Sequence, residues 1–377
     1  MKIVEVNTDW TKKEFLTVVD KIYAKDKFYV RPLNQNVEAV FNPLTNPNFE
    51  HGKAVRYILV NDKNQSIGRI SAFINFQKVA RNPIPTGAFG FFECINDAKA
   101  AKLLFDSARI WLLKNGMASM VGPISFGDNH LFHGALVEGF MPPFYSVPYN
   151  PSYYKELYEN YGFTIKDEQS TYHLDVSSPL PERFWKIADW VAKKSDFTYR
   201  HFEWSELDKF VSDFKIIYDQ AWNVNEKFVP ISKARIAKIL KRAEPIIWED
   251  MIWFAYNRNT PIGMLVVLPD VNQVIKPFKG EMNWVNKILF VIRCKLNVIT
   301  RGRVMVLGIV PHYQKHGIES GLIYYLKKAL SKRKSFSELE MSVVSHFNPK
   351  LKTLHEAVGA EFAKRHCTYR RTTAETL

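Results

Sequence analysis

The residues best suited to chemistry lie in a short turn that runs from Gln314 to Ser320. An apolar run, RVMVLGIV, ends before Pro311, which has no amide hydrogen to continue a strand ladder, and an amphipathic helical pattern follows Gly317. The first turn of a helix presents backbone N–H groups without intrahelical partners, and the helix dipole favours negative charge there. Glycine at 317 lets a phosphate approach the backbone, and Lys315 and His316 add cationic side chains. The turn is therefore predicted to bind an anion such as a phosphate.

Further candidates lie in the first half of the chain. Glu93 interrupts the apolar run FGFFECI, where a carboxylate must either face solvent or be paired in a cleft, so it is a candidate general base. The stretch from Gly122 to Pro151 is punctuated by Gly and Pro, carries His130 and His133, and is predicted to be an ordered loop. Two histidines do not complete a metal ligand set, so no metal site is predicted.

Two segments with the same pattern indicate an internal duplication. Asn150 to Phe163 reads NPSYYKELYENYGF, and Asn348 to Phe362 reads NPKLKTLHEAVGAEF. Each is predicted to be a helix with Asn as its N-cap, Pro at its first position and Gly at its end, followed by a strand. Because each segment lies near the end of a half of similar length, two domains are predicted, residues 1–178 and 179–377.

The elements that must position these residues follow the same order in both halves. Periodicity predicts a strand, one or two helices, three strands, a helix, a strand, a helix and a final strand. This order is typical of an α/β architecture in which a mixed, mostly antiparallel sheet is flanked by helices. The length of 377 residues, too great for one ordinary core, agrees with two such domains.

Composition limits the partners and the compartment. Hydrophobic residues make up 46% and aromatic residues 14%, which argues against disorder. Lys and Arg number 52 against 38 Asp and Glu, and the net charge of +14 favours phosphates, nucleic acid or anionic lipid headgroups as partners. Three widely spaced cysteines form neither a disulfide framework nor a zinc site, and the start of the chain has no signal-peptide pattern. A cytoplasmic protein is expected.

A basic and apolar segment, residues 283–303, has two interpretations. Its part from Asn283 to Ile299 is interrupted by Lys287, Arg293 and Lys295 and falls short of the roughly 20 apolar residues that a membrane span needs. The favoured interpretation is a buried crossover helix whose cationic side chains extend to solvent. The alternative is a helix that lies in the interface of the inner membrane with its cations outward, which would make the protein peripheral there.

The turn and the order of elements resemble the GNAT superfamily of acyl-CoA-dependent N-acyltransferases, in its long two-lobed bacterial form. That family's pyrophosphate loop reads Gln/Arg-x-x-Gly-x-Gly/Ala between a strand and a helix, and this chain matches it at Pro311, Gln314 and Gly317. Glu319 departs from the pattern, since a carboxylate stands where the family has Gly or Ala. The first half has no such loop, and Asp97 stands at its strand-to-helix junction. The resemblance therefore implies that only the second half holds CoA.

The same resemblance implies the substrates and their binding residues. The cosubstrate would be acetyl-CoA or a longer acyl-CoA, the acceptor an amine, and no metal would be required. Strand backbone would bond to the pantetheine arm and the loop to the pyrophosphate. The implied binding residues are Leu307, Gly308, Ile309, Val310, Gln314, Lys315, His316, Gly317, Ile318, Glu319, Ser320 and Asn348.

Catalytic residues are also implied by the family's Leu-Tyr-Glu-x-x-Gly-Phe pattern, whose Tyr often protonates the departing thiolate. The first half has Tyr158 in that pattern, whereas the second half has His355, which would be the general acid there. His346, at the end of the fifth strand of the second half, is a candidate general base, and Glu93 is the alternative candidate. The alternative proton donors are Tyr324 and Tyr325.

Three functions remain open at this point. The leading hypothesis is an acyl-CoA-dependent N-acyltransferase whose acceptor is a small amine or an amphiphilic amine at a membrane surface. A non-catalytic pair of lobes that binds acyl-CoA or a partner is the first alternative, because Glu319 and the absent tyrosine depart from the family. An aminoacyl-tRNA-dependent transferase is the second, since those enzymes also pair two such lobes. The Gln-x-x-Gly loop argues against it, so nucleic acid is not expected as a partner.

Overall fold

The structure is a computed structural model that describes residues 1–127, 134–194, 196–223, 230–296, 298–345 and 349–374. Contacts within the chain divide it into two units. Unit 1 comprises Met1–Ser170, Ile275–Lys287 and Ala363–Leu377, and unit 2 comprises Thr171–Val274 and Ile288–Phe362.

Unit 1 is a mostly antiparallel sheet flanked by helices. Its strands run in the order β1-β2-β3-β4-β5-β14-β7, in which β7 is Thr164–Asp175 and β14 is Glu361–Thr372. All the described pairs are antiparallel except β4 with β5. Its first six strands are β1 Lys2–Glu5, β2 Gly52–Val60, β3 Ser66–Asn75, β4 Thr86–Cys94, β5 Ser119–Gly122 and β6 Ala135–Glu138. Its helices are α1 Asp9–Ile22, α2 Asn34–Val40, α3 Phe76–Ala80, α4 Ala98–Lys114 and α5 Tyr154–Asn160.

Unit 2 repeats this architecture with the strand order β8-β9-β10-β11-β12-β7, in which only β11 and β12 are parallel among the described pairs. Its strands are β8 Phe197–His201, β9 Ile252–Asn257, β10 Thr260–Pro269, β11 Arg301–Ile309, β12 Glu338–Glu340 and β13 Val344–Ser345. The remaining helices are α6 Glu182–Ala192, α7 Leu207–Trp222, α8 Lys233–Ala243, α9 Asn272–Ile275, α10 Trp284–Lys295, α11 Ile318–Leu330 and α12 Pro349–Ala357. The predicted α/β class with mostly antiparallel sheets is confirmed.

The last strand of each half contributes to the sheet of the other unit. Strand β7, Thr164–Asp175, closes the first half, and its residues from Thr171 onward belong to unit 2, where they pair with β12. Strand β14, Glu361–Thr372, closes the chain, yet it pairs with β5 and β6 in unit 1. The units therefore differ from a simple division into 1–178 and 179–377, because strand pairing, and not chain order, decides where each tail lies.

The two repeated segments are helices, and their ends follow the expected chemistry. Gly162 and Gly359 each follow a helix with φ of 83° and 86°, the left-handed conformation that glycine adopts at helix ends. Pro349 is the first residue of α12. The predicted N-cap role of Asn150 is wrong, because α5 begins only at Tyr154 and the Asn150 side chain bonds instead to both backbone groups of Leu136, at 2.7 and 3.0 Å.

The favoured interpretation of Asn283 to Ile299 as a buried crossover helix is also wrong. Helix α10 contains no buried residue, and all its large apolar side chains except the half-buried Phe290 are exposed. Apolar composition alone predicted burial, but the helix packs against the protein through its more polar face. Among the described residues, no helix is both long and apolar enough to cross a membrane.

A buried ion pair in unit 2 gives a first prediction. The Arg301 guanidinium lies 2.7 Å from Oδ2 of Asp270, whose side chain is fully buried. Asp270→Ala should lower the free energy of unfolding by about 3–5 kcal/mol, because it removes the carboxylate that compensates the buried Arg301 charge. Urea unfolding followed by circular dichroism measures this. The matched control is Glu182→Ala, which breaks an exposed pair with Lys186 and should cost no more than about 1 kcal/mol; equal losses in the two variants would contradict the prediction.

Candidate active site

The turn after β11 has the geometry of an anion-binding loop. A single 3-10 turn, Pro311–Tyr313, follows the strand, and Lys315 and Gly317 then adopt φ of 68° and 77°. Gly317 is the N-cap of α11, and a Cβ added to it would lie 2.9 Å from Cγ2 of Val191 on α6. Only glycine meets both conditions without strain. Gly317, which the sequence predicts to be essential in this turn, is thus constrained both by its backbone conformation and by its close contact with Val191.

The loop offers unpaired amides and exposed cations. The intrahelical bonds of α11 begin with the amides of Ser320 and Gly321, which donate to Gly317 O at 2.9 and 3.2 Å. Among the residues that the structure describes, the preceding amides of the first turn have no acceptor and are left for a ligand. The side chains of Lys315 and His316 are exposed. Glu319, the departure from the family pattern, is half-buried. Burial, Tyr325 and Glu319, in that order, raise the pKa of Tyr199 on β8.

The corresponding junction in unit 1 is already occupied by a side chain. Asp97 is the N-cap of α4, and its Oδ1 accepts hydrogen bonds from the amides of Lys99 and Ala100 at 2.7 and 2.9 Å. A carboxylate therefore neutralises the helix N-terminus that would otherwise attract a phosphate. In unit 2 the same position is Gly317, which has no side chain to do this.

The central strands also differ between the units. In unit 2 the parallel pairing of β11 with β12 covers only Arg301 to Arg303, and β11 continues to Ile309 paired with β10. In unit 1 the chain stays on β4 after the paired residues, since the amide of Ile124 donates to Phe89 O at 2.9 Å and Ile124 O lies where a Cβ of Gly90 would be. In unit 2 the described pairing of β11 with β12 thus ends at Arg303, whereas in unit 1 the chain after β5 remains beside β4.

An apolar cavity of about 20 Å³ lies beside the part of β11 that follows this pairing in unit 2. It is lined by strand residues and by the inner face of α11, among them Val304, Leu307, Leu326, Met341, Ser342 and His355. A volume of this size holds about one water molecule. The cavity is therefore lined both by β11, the strand that leads into the loop, and by His355, which aligns with the tyrosine of the family pattern.

His355 is fully buried on α12. Burial lowers the pKa of its imidazole to about 4, so the ring is neutral at pH 7. Nε2 lies 3.4 Å from the Ser342 hydroxyl, the ring edge contacts Tyr172 with centroids 5.5 Å apart, and Nδ1 has no hydrogen-bond partner in the described part of the chain. A neutral imidazole of this kind can accept one proton and donate another.

Glu93 lies in unit 1, within a network of its own. The hydroxyls of Tyr23 and Tyr154 donate to Oε2 at 2.8 and 2.9 Å, and Arg69 Nη2 lies 3.5 Å from Oε1. Burial raises the pKa of this carboxyl group, while Arg69 and the two hydroxyls act in the opposite direction. Glu93 therefore belongs to unit 1 and His355 to unit 2. The role of Glu93 as a general base stays a prediction.

The other predicted donors and bases have different environments. The Tyr324 hydroxyl donates to Asp189 Oδ1 at 2.7 Å, and that of Tyr325 lies 3.5 Å from Ala192 O, so both contact the α6 region. His346, Asn348, His130 and His133 lie outside the described residues. Elsewhere, in the described ranges, no group of His, Cys, Asp or Glu has the arrangement of a metal site.

Sequence reasoning missed two residues at the cavity. Ser342 follows β12 and lies beside His355, and Lys327 of α11 donates to the carbonyl oxygens of Val176 and Ser178, the second at 2.9 Å. Burial lowers the pKa of Lys327. The amphipathic pattern of α11 indicates the apolar face that lines this cavity, but nothing in the local sequence marks the serine or the lysine.

Comparisons with known proteins cover the whole chain. No family model matches it. The bacterial ceramide synthase of Caulobacter vibrioides (strain NA1000 / CB15N) is 27% identical over 384 residues, with 98% of this chain and 97% of that protein covered. Protein YghO of Escherichia coli (strain K12) is 26% identical over 369 residues, with 95% and 92% covered.

Solved structures show the same architecture. The tandem GNAT protein from the clavulanic acid biosynthesis pathway is 10% identical, covers 100% of this chain with 99% of its own, and has a TM-score of 0.57. The GCN5-related N-acetyltransferase from Sphaerobacter thermophilus is 11% identical, covers 100% and 97%, and has a TM-score of 0.54. At these identities the likeness concerns the fold. The chain has the two-lobed fold of the GNAT N-acetyltransferases.

Proposed function

We propose that the protein is an acyltransferase that moves an acyl group from acyl-CoA to an amine, and that unit 2 carries the reaction. The observation that carries this proposal is the Gly317 loop, which leaves the N-terminus of α11 open next to the part of β11 that extends past its pairing with β12. Unit 1 has the same elements with the helix N-terminus capped by Asp97 and its strands held together. Unit 1 would therefore have a structural role or shape the acceptor site.

Acyl-CoA would lie along β11 and across the loop. Within the loop from Gln314 to Ser320, the backbone amides that make no intrachain bond and the cations of Lys315 and His316 would hold the pyrophosphate. The backbone from Leu307 to Val310 would bond to the pantetheine arm, which would extend the sheet as an added strand. This arrangement directs the thioester toward the cavity and His355.

The reaction requires one net proton transfer, from the amine nitrogen to the thiolate sulfur. A neutral amine attacks the thioester carbonyl carbon, the C–S bond breaks, the nitrogen loses a proton and the sulfur gains one, so the products are an amide and free CoA. The neutral His355 would accept the proton from nitrogen and return it to the thiolate, while the Ser342 hydroxyl positions the ring. Because burial disfavours the charged imidazolium, His355 would hold the proton only briefly between the two transfers.

The acyl group is proposed to be a long chain. The cavity wall is formed almost wholly by leucine, isoleucine, valine and methionine side chains, and its present volume of about 20 Å³ requires those side chains to move before a chain enters. A ceramide is an amide of a fatty acid and a long-chain amino alcohol, so the relative named ceramide synthase supports the same substrate class. The acceptor is accordingly proposed to be a long-chain amine.

The direct test is turnover by the purified protein. Palmitoyl-CoA or acetyl-CoA is mixed with a long-chain 2-amino alcohol or with a short one such as ethanolamine, and free thiol and amide are measured by absorbance and mass spectrometry. We expect thiol release and amide to appear in equal amounts with the two long-chain substrates. Saturable CoA binding without thiol release in any combination would instead favour the non-catalytic pair, to which Glu319 in the loop points.

The loop gives a second prediction. Lys315→Gly removes the ammonium group but keeps the left-handed backbone, because glycine adopts φ near 68° without strain. CoA affinity measured by titration calorimetry should fall roughly 10-fold or more, since a charge-assisted bond contributes about 1.5–3 kcal/mol. The matched control is Lys279→Gly in unit 1, where φ is 47°. Unchanged CoA affinity in Lys315→Gly would count against a phosphate site at this loop.

A further inference from the structure

We propose that α10 is a membrane-docking helix that lies in the headgroup region of an anionic phospholipid bilayer with its apolar face toward the acyl chains. The proposal goes beyond acyl transfer and does not depend on it, because it concerns a surface and not the reaction.

Helix α10 has its apolar side turned outward. Seven large apolar residues on it or directly after it are exposed: Trp284, Val285, Ile288, Leu289, Val291, Ile292 and Leu296. Trp284 is 73% and Leu296 69% exposed, so the patch extends over the whole length of the helix. Soluble monomers rarely expose contiguous apolar surface on this scale, and such a patch marks a partner or a membrane.

These seven side chains share one face. At 3.6 residues per turn they fall within an arc of roughly 160°. The opposite face is the one that contacts the protein, with Asn286, Phe290, Arg293 and Cys294 half-buried. Asn286 Nδ2 donates to Glu281 O and Arg293 Nη2 to Gln273 O, both at 3.0 Å. Because the polar face is held by these bonds, the apolar face has no neighbouring part of the described chain to cover it.

Charge selects an anionic bilayer as the occupant. Four lysines are exposed on α10 and the segment just before it: Lys276, Lys279, Lys287 and Lys295. The one acidic residue in this range is Glu281, whose carboxylate accepts a bond from Asn34 at 2.7 Å. Lys287 borders the apolar arc and Lys295 lies at its C-terminal end, both exposed. Cations beside an apolar face are typical of helices that bind anionic lipid in the interfacial plane, and tryptophan is favoured at that depth. An apolar protein partner would not require this surplus of positive charge.

The length of the helix agrees with a position in the interface. Twelve residues at 1.5 Å each give a helix of about 18 Å, whereas the hydrocarbon core is about 30 Å thick. The helix is too short to span the bilayer but long enough to bury a continuous apolar stripe at its surface.

The test uses the full chain and sucrose-loaded vesicles at 0.1 M salt, made either of phosphatidylcholine alone or with 30% phosphatidylglycerol. The wild-type protein should sediment with the anionic vesicles, and the bound fraction should fall as salt is raised. The variant Ile288→Gln/Ile292→Gln, in the middle of the apolar arc, should bind at least about tenfold more weakly. Lys287→Glu/Lys295→Glu should abolish the preference for anionic vesicles.

The matched control replaces two exposed apolar residues elsewhere. Leu103→Gln/Ile110→Gln changes side chains of α4 that are 37% and 43% exposed, and should leave vesicle binding unchanged. Thermal melts of all variants check that the fold is kept, which is expected for surface positions. Absence of vesicle binding by the wild-type protein overturns the proposal. So does a wild-type dimer in analytical ultracentrifugation that Ile288→Gln/Ile292→Gln dissociates while vesicle binding stays unaffected, since a second copy would then cover the face.

Discussion

Replacing Gly317 with alanine is expected to weaken CoA binding by roughly 10- to 100-fold. The substitution adds a Cβ to a residue with φ of 77° and places it 2.9 Å from Cγ2 of Val191, so the loop must shift. The shift displaces the first-turn amides of α11 from a bound pyrophosphate, and each charge-assisted bond lost costs about 1.5–3 kcal/mol. Titration calorimetry with CoA measures the change in affinity.

The chain supplies a closely matched control for this prediction. Gly116 in unit 1 has φ of 79°, and an added Cβ meets nothing within 4 Å. Gly116→Ala introduces the same backbone strain without crowding, so it should lower the melting temperature to a similar extent and leave CoA affinity unchanged. If both variants lose affinity equally, the effect is one of stability and the loop is not a phosphate site.

A second measurement separates the loop from the rest of the cosubstrate. A palmitoyl-pantetheine thioester has the acyl group and the arm but no diphosphate or adenosine. Wild-type protein and Gly317→Ala should use it at similar rates, because nothing in it contacts the loop. A strong loss of rate with this substrate would show that Gly317 acts on the thioester end and would contradict the proposed placement of the diphosphate.

The local features of the fold could be predicted from the sequence because their causes are local. Pro311 ends β11, and Gly317 begins α11 in the conformation that glycine favours. Gly162 and Gly359 end the two repeated helices for the same reason. In each case one residue type has a backbone preference strong enough to act without help from the rest of the chain.

Features that depend on distant residues could not be predicted. The segments that form β7 and β14, after the two repeated helices, both have strand-forming sequences. Nothing within these segments specifies which sheet they join. Asn150 has the expected spacing for a helix cap, but its side chain forms hydrogen bonds with the backbone of Leu136 instead. The apolar residues of α10 indicated a helix correctly and its burial wrongly, because burial depends on which face the protein contacts.

The candidate site shows the same division. The repeat alone placed His355 opposite Tyr158 of the first half, without any knowledge of the fold. Its burial and the cavity beside it arise from α11 and from strands far away in the chain. The sequence also placed Asp97 at the unused junction of unit 1, and the structure shows its carboxylate on the helix amides. Residue types marked the positions, while tertiary packing determines how those residues ionise.

Replacing His355 with leucine is expected to make the protein more resistant to acid unfolding. The pKa of the buried imidazole is about 4, against about 6.5 in an unfolded chain, so the unfolded state binds more protons between these values. Stability of the wild-type protein should therefore fall as the pH falls from 6.5 to 4, by up to about 3 kcal/mol from this residue. His355→Leu cannot titrate and should lack this decrease in urea unfolding curves recorded at pH 7, 5.5 and 4.

The same variant tests the proposed chemistry, and the two results are independent. His51→Leu, which changes an exposed histidine of unit 1, should keep the wild-type acid sensitivity and activity. His355→Leu should keep CoA affinity, because the loop is unchanged, and lose roughly 100- to 10,000-fold in turnover if the imidazole moves the proton. A variant that resists acid and still turns over at the wild-type rate would show that His355 is a buried core residue, and the proton would then have to pass through another group, of which His346 is the next candidate.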